Sequence, residues 1–383
     1  MRFCEIIGQE EVKNLLRQSV KDGRIAHAQL FVGDRGVGKL QLALAYAQYI
    51  ACPNRTENDS CGCCPSCVQY QKLQHPDLHF AFPIIKDDKK DTCDEFVKDF
   101  RSLLLEKTYI SIEDWYNTIG VESKQGLIYE KESSEILRKL SLKSFSNGYK
   151  VMIIWHAEKM NTICANKLLK MLEEPPTQTL FLLISEHPEE LLSTIISRTQ
   201  EIHVPLISDG ELANKIHEIA PNLSAEDAQR ICHMANGSYL RAIEFIAEDN
   251  HKYFEDFVSL MRNAWLVGQK KDYSALLQLR KWSLEIADKA VGRERQKAFL
   301  QYVQRQIREN YIYNFGFDEM NYQTEAEHQF STRFAPFIHD GNIEQIMNEL
   351  GKAEMQIAQN ANARIVFFDL CLQMIVMVKN SIQ

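Results

Sequence analysis

The chain predicts a parallel α/β domain built on a phosphate-binding loop, with a cysteine module inserted into it, then a small helical domain and an all-α C-terminal domain. Three observations carry this. In the first half, short apolar runs alternate with stretches of helical periodicity, the pattern of βα units. The segment Gly33-Asp34-Arg35-Gly36-Val37-Gly38-Lys39 stands between one such run and a helix. After Pro205 the strand-like runs stop, and from about His251 glycine and proline are sparse. At 383 residues the chain is too long for one ordinary domain. The expected divisions are 1–205, with the cysteine module at about 52–67, then 206–249 and 250–383.

The elements follow in order. Leu30-Phe31-Val32 is a buried strand feeding the glycine loop, and Leu40 to Cys52 is the helix after it. Leu78 to Phe82 forms a second strand. Val151 to Trp155 is a third, apolar throughout as befits a strand covered on both faces. Leu180 to Ile184 and Glu201 to Val204 complete the set. Ala165, Leu168, Leu169 and Leu172 recur on one face of a helix that Pro175-Pro176 ends. Amphipathic helices are expected between Cys93 and Ser146. The charge run Lys86 to Asp91 reads as a solvated loop.

A net charge of −8 argues against a chain that binds DNA alone, because neutralising phosphates takes a basic excess. The N-terminal MRFCEIIGQE has no apolar signal core. The greasiest stretch, Ile365 to Val378, is short for a membrane span and contains Asp369 and Gln373. A cytoplasmic chain with no membrane partner is expected. In that compartment its ten cysteines are metal-bound or free rather than disulfide-bonded.

The phosphate loop is incomplete. In G-x-x-x-x-G-K-[ST] the glycines let backbone N–H groups surround phosphates, the lysine reaches the outer phosphates, and the final hydroxyl ligates Mg²⁺. Gly33, Gly36, Gly38 and Lys39 are present, but position 40 is Leu, with no oxygen to hold a metal. Where such ATPases end a strand in a metal-binding Asp followed by a catalytic Glu, this chain has Trp155 and His156; Glu158 lies beyond the strand end and is expected to point elsewhere. Two independent losses argue against hydrolysis, while ATP or ADP could still sit on the loop N–H groups and Lys39.

Cys52-x₈-Cys61-x₂-Cys64-x₂-Cys67 has the spacing of a structural zinc site, with turn-forming residues between the thiols. Cys63 is expected to be a bystander, since its use with Cys64 would demand adjacent ligands. The alternative is a set of free thiols on a loop.

Several segments together resemble AAA+ clamp-loader subunits: Ile7-Gly8-Gln9, Arg24-Ile25-Ala26-His27-Ala28, Ala165 through Pro176, and Ile196-Ser197-Arg198-Thr199-Gln200, which is similar to that family's S-R-C motif with Thr in the Cys place. The cysteine quartet is shared with bacterial members. The likeness covers residues 1 to about 245, and the remaining helices fit the family's collar. The resemblance implies a helical lid after the α/β domain, other clamp-loader subunits (motor and delta) as partners, and the sliding clamp and primer-template DNA met through the assembled ring. It implies that Arg198 reaches ATP on a neighbouring subunit, against the alternative of a local salt bridge. It makes Arg241 a second sensor arginine, vestigial here, and puts Ser185 near a first sensor. The readings left open are a non-hydrolysing ring subunit, an ATP-hydrolysing motor subunit, and a zinc-stabilised nucleotide-binding regulator.

Overall fold

The computed structural model describes residues 1–86, 90–120, 126–146, 148–246, 249–288, 290–316 and 321–378. They fall into two compact units, one ending at Ile243 and one beginning at Glu244.

The first unit holds a five-stranded, wholly parallel sheet: β1 (Ala28–Val32), β2 (Leu78–Ala81), β3 (Lys150–Trp155), β4 (Thr179–Ser185) and β5 (Gln200–His203). Their order across the sheet is β2-β3-β4-β1-β5. All five expected strands are present, each within two residues of its expected ends. Every residue of β1, β3 and β4 is buried, the signature of strands covered by helices on both faces. Because β1 lies between β4 and β5, the chain order reverses beside it, and the loop that follows β1 opens at this switch point. Val32, the last residue of β1, pairs with Ser185 of β4 and with His203 of β5. The ends of these three strands therefore frame the loop.

Helices α1 (Glu10–Lys21), α2 (Lys39–Ala51), α3 (Pro65–Gln71), α4 (Val97–Glu106), α5 (Ile112–Thr118), α6 (Glu130–Ser141), α7 (Thr162–Glu173) and α8 (Ser193–Ile196) surround the sheet. Helix α2 is apolar on nearly every side and almost wholly buried, as a central helix must be. Helix α7 is amphipathic; the Asn161 side chain caps it by accepting from the Cys164 N–H. Between the sheet and α4–α5 lies an aromatic subcore of Phe82, Phe96, Phe100, Trp115 and Trp155. Trp115 is completely buried, and its indole N–H is satisfied by the Pro83 carbonyl at 2.7 Å. Of the charge run, 87–89 lies outside the described residues; the Lys86 ammonium sits over the Tyr129 ring and Asp91 pairs with Lys131.

After β5 come α9 (Asp209–Ile219), α10 (Ala225–Ala235) and α11 (Tyr239–Ile246). The second unit comprises α12 (Asp249–Lys270), α13 (Tyr273–Ile286), α14 (Arg293–Tyr313), α15 (Glu325–Phe334), α16 (Ile343–Ala358) and α17 (Ala363–Met377) around a core that includes Phe257, Phe299, Val303, Leu350 and Phe367. No strand occurs there among the described residues. No described helix is long and apolar enough to cross a membrane.

Candidate functional site

The phosphate loop runs from the end of β1 into α2, with Gly38 in the left-handed region (φ 98°) as the residue that starts the helix. Gly36 is also left-handed, and a Cβ there would lie 2.5 Å from the Ser238 hydroxyl. Backbone shape thus explains why glycines stand at these positions whether or not a phosphate binds.

Lys39 turns back into its own loop. Its ammonium donates to the Gly33 carbonyl at 2.8 Å and the Asp34 carbonyl at 2.6 Å, and it lies 3.7 Å from a Glu186 carboxylate oxygen. The side chain is 4% exposed. Burial pulls its pKa below the ordinary lysine value, against the opposing pull of Glu186, Glu158 and Asp34. Leu40 is packed in the hydrophobic core.

The end of β3 differs from expectation in one respect. Trp155 is buried against Phe100, with ring centroids 5.5 Å apart, and offers nothing to a metal. His156 takes a left-handed conformation (φ 53°), and the single 3₁₀ turn after it, Ala157–Lys159, carries Glu158 back under the site. Glu158 was expected to point elsewhere; instead it is fully buried, with its carboxylate 2.8 Å from His156 Nδ1 and 3.5 Å from the Glu186 backbone N–H. The left-handed residue is the physical reason, because it reverses the chain within one position. Burial alone would raise the Glu158 pKa and lower that of His156. Their attraction outweighs it, so the carboxyl sits below its ordinary value and the imidazole above. Ser185 ends β4 and is buried next to Glu186.

The start of α11 lies on the outer side of the loop. The Ser238 hydroxyl donates to the Arg35 carbonyl at 2.7 Å, and the Tyr239 N–H to the Gly36 carbonyl at 3.2 Å. The Tyr239 ring meets Tyr109, whose hydroxyl accepts from the Ile7 N–H. Gln9 is buried and donates to the Val37 and Pro205 carbonyls. Arg241, in the first turn of α11, has an exposed side chain with no ion pair among the described residues.

The four expected cysteines come together. Cys52 caps the end of α2 and Cys64 the start of α3. All four sulfurs lie within 4.8 Å of one another, with Cys52–Cys61 at 3.5 Å and Cys61–Cys67 at 3.9 Å. Zinc–sulfur bonds of about 2.3 Å in a tetrahedron put sulfurs roughly 3.8 Å apart, so the set fits such an ion. Backbone N–H groups of Cys61, Cys64 and Cys67 donate to the sulfurs of Cys52, Cys61 and Cys64 in turn, while burial pushes the Cys52 and Cys67 thiols up. Hydrogen bonds from the Cys63 and Cys64 backbone pull the Cys61 thiol down to about 6. Cys63 is exposed and lies outside the set. The cluster also ties down the N-terminus: Asp59 accepts from the N–H groups of Phe3 and Cys4.

Arg198 lies between α8 and β5, one third exposed. Its Nε donates to Glu173, at the end of α7, at 2.6 Å, and Nη1 donates to the Thr194 carbonyl at 3.0 Å. Among the described residues it makes no hydrogen bond or ion pair with Lys39 or the loop of its own chain. Three groups now seen at these sites escaped sequence reasoning. Glu186 was detectable in principle, as an acid directly after a strand. Glu173 and Tyr109 carried no local signal.

A phosphate loop at the switch point of a parallel sheet, a cysteine module within the same domain and helices after the last strand define an AAA+ P-loop domain followed by a helical region. The chain belongs to the family described as DNA polymerase III, delta subunit, whose model matches residues 8–208. It is 27% identical over 275 residues to DNA polymerase III subunit delta′ of Bacillus subtilis, covering 72% of this chain and 69% of that one. It is 26% identical to subunit tau/gamma of Haemophilus influenzae over 59% of this chain, but spans only 27% of that protein's length. A gamma-subunit-related protein of Thermotoga maritima aligns over 96% of this chain and 99% of its own at 13% identity, with a TM-score of 0.41, too loose a match to add to the strand order seen here. Membership of this family gives the chain a role in clamp loading for DNA replication.

Proposed function

We propose that this chain is a non-hydrolysing subunit of the clamp loader and donates Arg198 in trans to ATP held by a neighbouring motor subunit. The observation that carries the reading is the contrast between two groups. Leu40 and His156 stand where metal ligands are needed, whereas Arg198 remains partly exposed on a surface loop and is not hydrogen-bonded to its own chain's phosphate loop among the described residues. Its ion pair with Glu173 is the local salt bridge that stands as the alternative to this role, and it is weak enough to be exchanged. A half-exposed pair of this kind is worth about 1 kcal/mol or less, so a neighbour's phosphates can compete for the guanidinium. An arginine at a transferring phosphoryl group offsets developing negative charge.

In this reading residues 1–205 and 206–249 form the α/β domain and its lid, and 250–383 the collar that joins the ring. The cysteine quartet holds structural zinc, because four sulfurs leave no open position for catalysis. The partners are the motor and delta subunits, and the sliding clamp and primer-template DNA are engaged by the assembled ring in the cytoplasm. Motor activity in this chain is disfavoured by Leu40, Trp155 and His156, which stand where a hydroxyl and two acids are needed. The test is DNA-stimulated ATPase of the reconstituted ring. Arg198→Ala is expected to lower turnover by about tenfold or more without dissociating the complex. Unchanged turnover would reject the donor role.

A further inference from the structure

We propose that the phosphate loop is held closed to nucleoside triphosphates by an internal ligand set, in which the carboxylates of Glu186 and Glu158 take the electrostatic place of a terminal phosphate. The inference deepens the reading of this site as one without turnover: it concerns occupancy, whereas the lost metal ligands concern chemistry.

Lysine has three N–H donors. Two of those of Lys39 go to the Gly33 and Asp34 carbonyls at 2.8 and 2.6 Å, and the Glu186 carboxylate stands 3.7 Å away, beyond hydrogen-bond reach but within ion-pair distance. A phosphate drawing on this ammonium must compete with two hydrogen bonds and an ion pair that the chain already supplies. Behind Glu186 lies Glu158, with its side chain fully buried and engaged by His156 at 2.8 Å and by the Glu186 N–H at 3.5 Å. A triphosphate entering here brings several negative charges toward two carboxylates, at a site that has lost its metal-holding hydroxyl at position 40. Shielded from water, that repulsion is stronger than at a surface. The outer side of the loop is covered as well: a Cβ on Gly36 would meet the Ser238 hydroxyl at 2.5 Å and the Leu240 nitrogen at 2.9 Å.

A different account is that Lys39 merely rests on its loop and swings out freely when phosphate arrives. The two accounts differ in what neutralising the carboxylates does. The experiment titrates the purified full-length chain with ATP and with inorganic tripolyphosphate, each with and without Mg²⁺, alongside thermal melts to check folding. For the natural chain, no saturable binding is expected below about 1 mM. Glu186→Gln is expected to bind at least about tenfold more tightly, with little dependence on Mg²⁺. Glu186→Gln with Glu158→Gln should bind more tightly still, and adding Lys39→Ala should abolish the gain. Micromolar binding by the natural chain would overturn the inference. So would a folded Glu186→Gln variant that binds no better than the natural chain, a comparison that stands even if the double variant fails to fold. Either result leaves the role of Arg198 intact, since that is read from the ring's ATPase. Hydrolysis by the isolated chain, lost in Lys39→Ala, would overturn both.

Discussion

The cysteine cluster and the phosphate loop sit in the same unit, and both were visible as short motifs, yet they have opposite fates. In the cluster every required ligand is present, the sulfurs lie at tetrahedral spacings, and backbone N–H groups already point at them. In the loop the backbone shape persists, but the groups that gave it chemistry are gone and its lysine is bound by its own chain. The difference teaches that backbone geometry and ligand set are separable. Glycines in left-handed turns hold a loop between β1 and α2 regardless of what occupies it. A cysteine quartet that could hold a metal has no comparable second use for its backbone, and its four sulfurs lie within 4.8 Å of one another.

The contrast is broken most severely by removing the cluster. Changing Cys61 and Cys64 together to Ser should eliminate one bound zinc per chain by elemental analysis. It should also destabilise the chain by several kcal/mol or leave the module unfolded, because metal binding energy is folding energy in such sites. The damage should reach the N-terminal segment, which hangs from Asp59. Proteolysis or amide exchange at residues 1–9 would report it. A chain purified without chelator and found free of zinc would show that the cluster and the loop are alike after all, two remnants rather than one.

A smaller effect is expected from restoring what the loop has lost. Leu40→Ser returns a hydroxyl to the position that holds Mg²⁺ in working ATPases. Leu40 is buried in the core of the first unit, so the change should cost about 2–5 kcal/mol, readable in a denaturant midpoint. It should confer no Mg²⁺-dependent ATPase, because Trp155 and His156 still stand where the acids are needed. Activity in this variant would mean that the loop is one substitution from function rather than closed.

These two regions also show what a sequence displays and what it withholds. The strands were legible because each is a continuous apolar run, and the cysteine site because its ligands lie close together in the chain. Leu40 and the Trp155-His156 pair were legible as departures from a pattern of fixed spacing. The return of Glu158 was not, since it depends on a left-handed histidine, a conformation that residue type does not announce. Nor was the meeting of Glu186 with Lys39, which β-sheet pairing brings together from distant parts of the chain: β1 and β4 are neighbours in space only. The pairing of Arg198 with Glu173 was hidden for the same reason, the partners lying at the ends of different helices.

The smallest effect concerns the buried pair behind the loop, and its sign separates a structural lock from a passive leftover. His156 in the folded chain titrates above its ordinary 6.5, so the stability it contributes is complete below that pH and is lost as the pH rises through the raised value. Glu158 titrates below its ordinary 4.5, so its contribution is complete above that pH and is lost as the pH falls through the lowered value. The pair therefore stabilises most between 4.5 and 6.5, with a decline on each side. Melting temperatures measured from well below 4.5 to well above 6.5 should show both arms, once the other titrating groups are subtracted by comparison with a variant. The suitable variant is His156→Gln combined with Glu158→Gln, which keeps a polar pair in place while removing both charges and avoids leaving one of them buried alone. Its profile should be flatter on the alkaline side and on the acid side. If the natural chain and the double variant have parallel profiles, the pair does not titrate with folding. The carboxylate behind Lys39 would then be no part of what distinguishes this loop from the cysteine cluster.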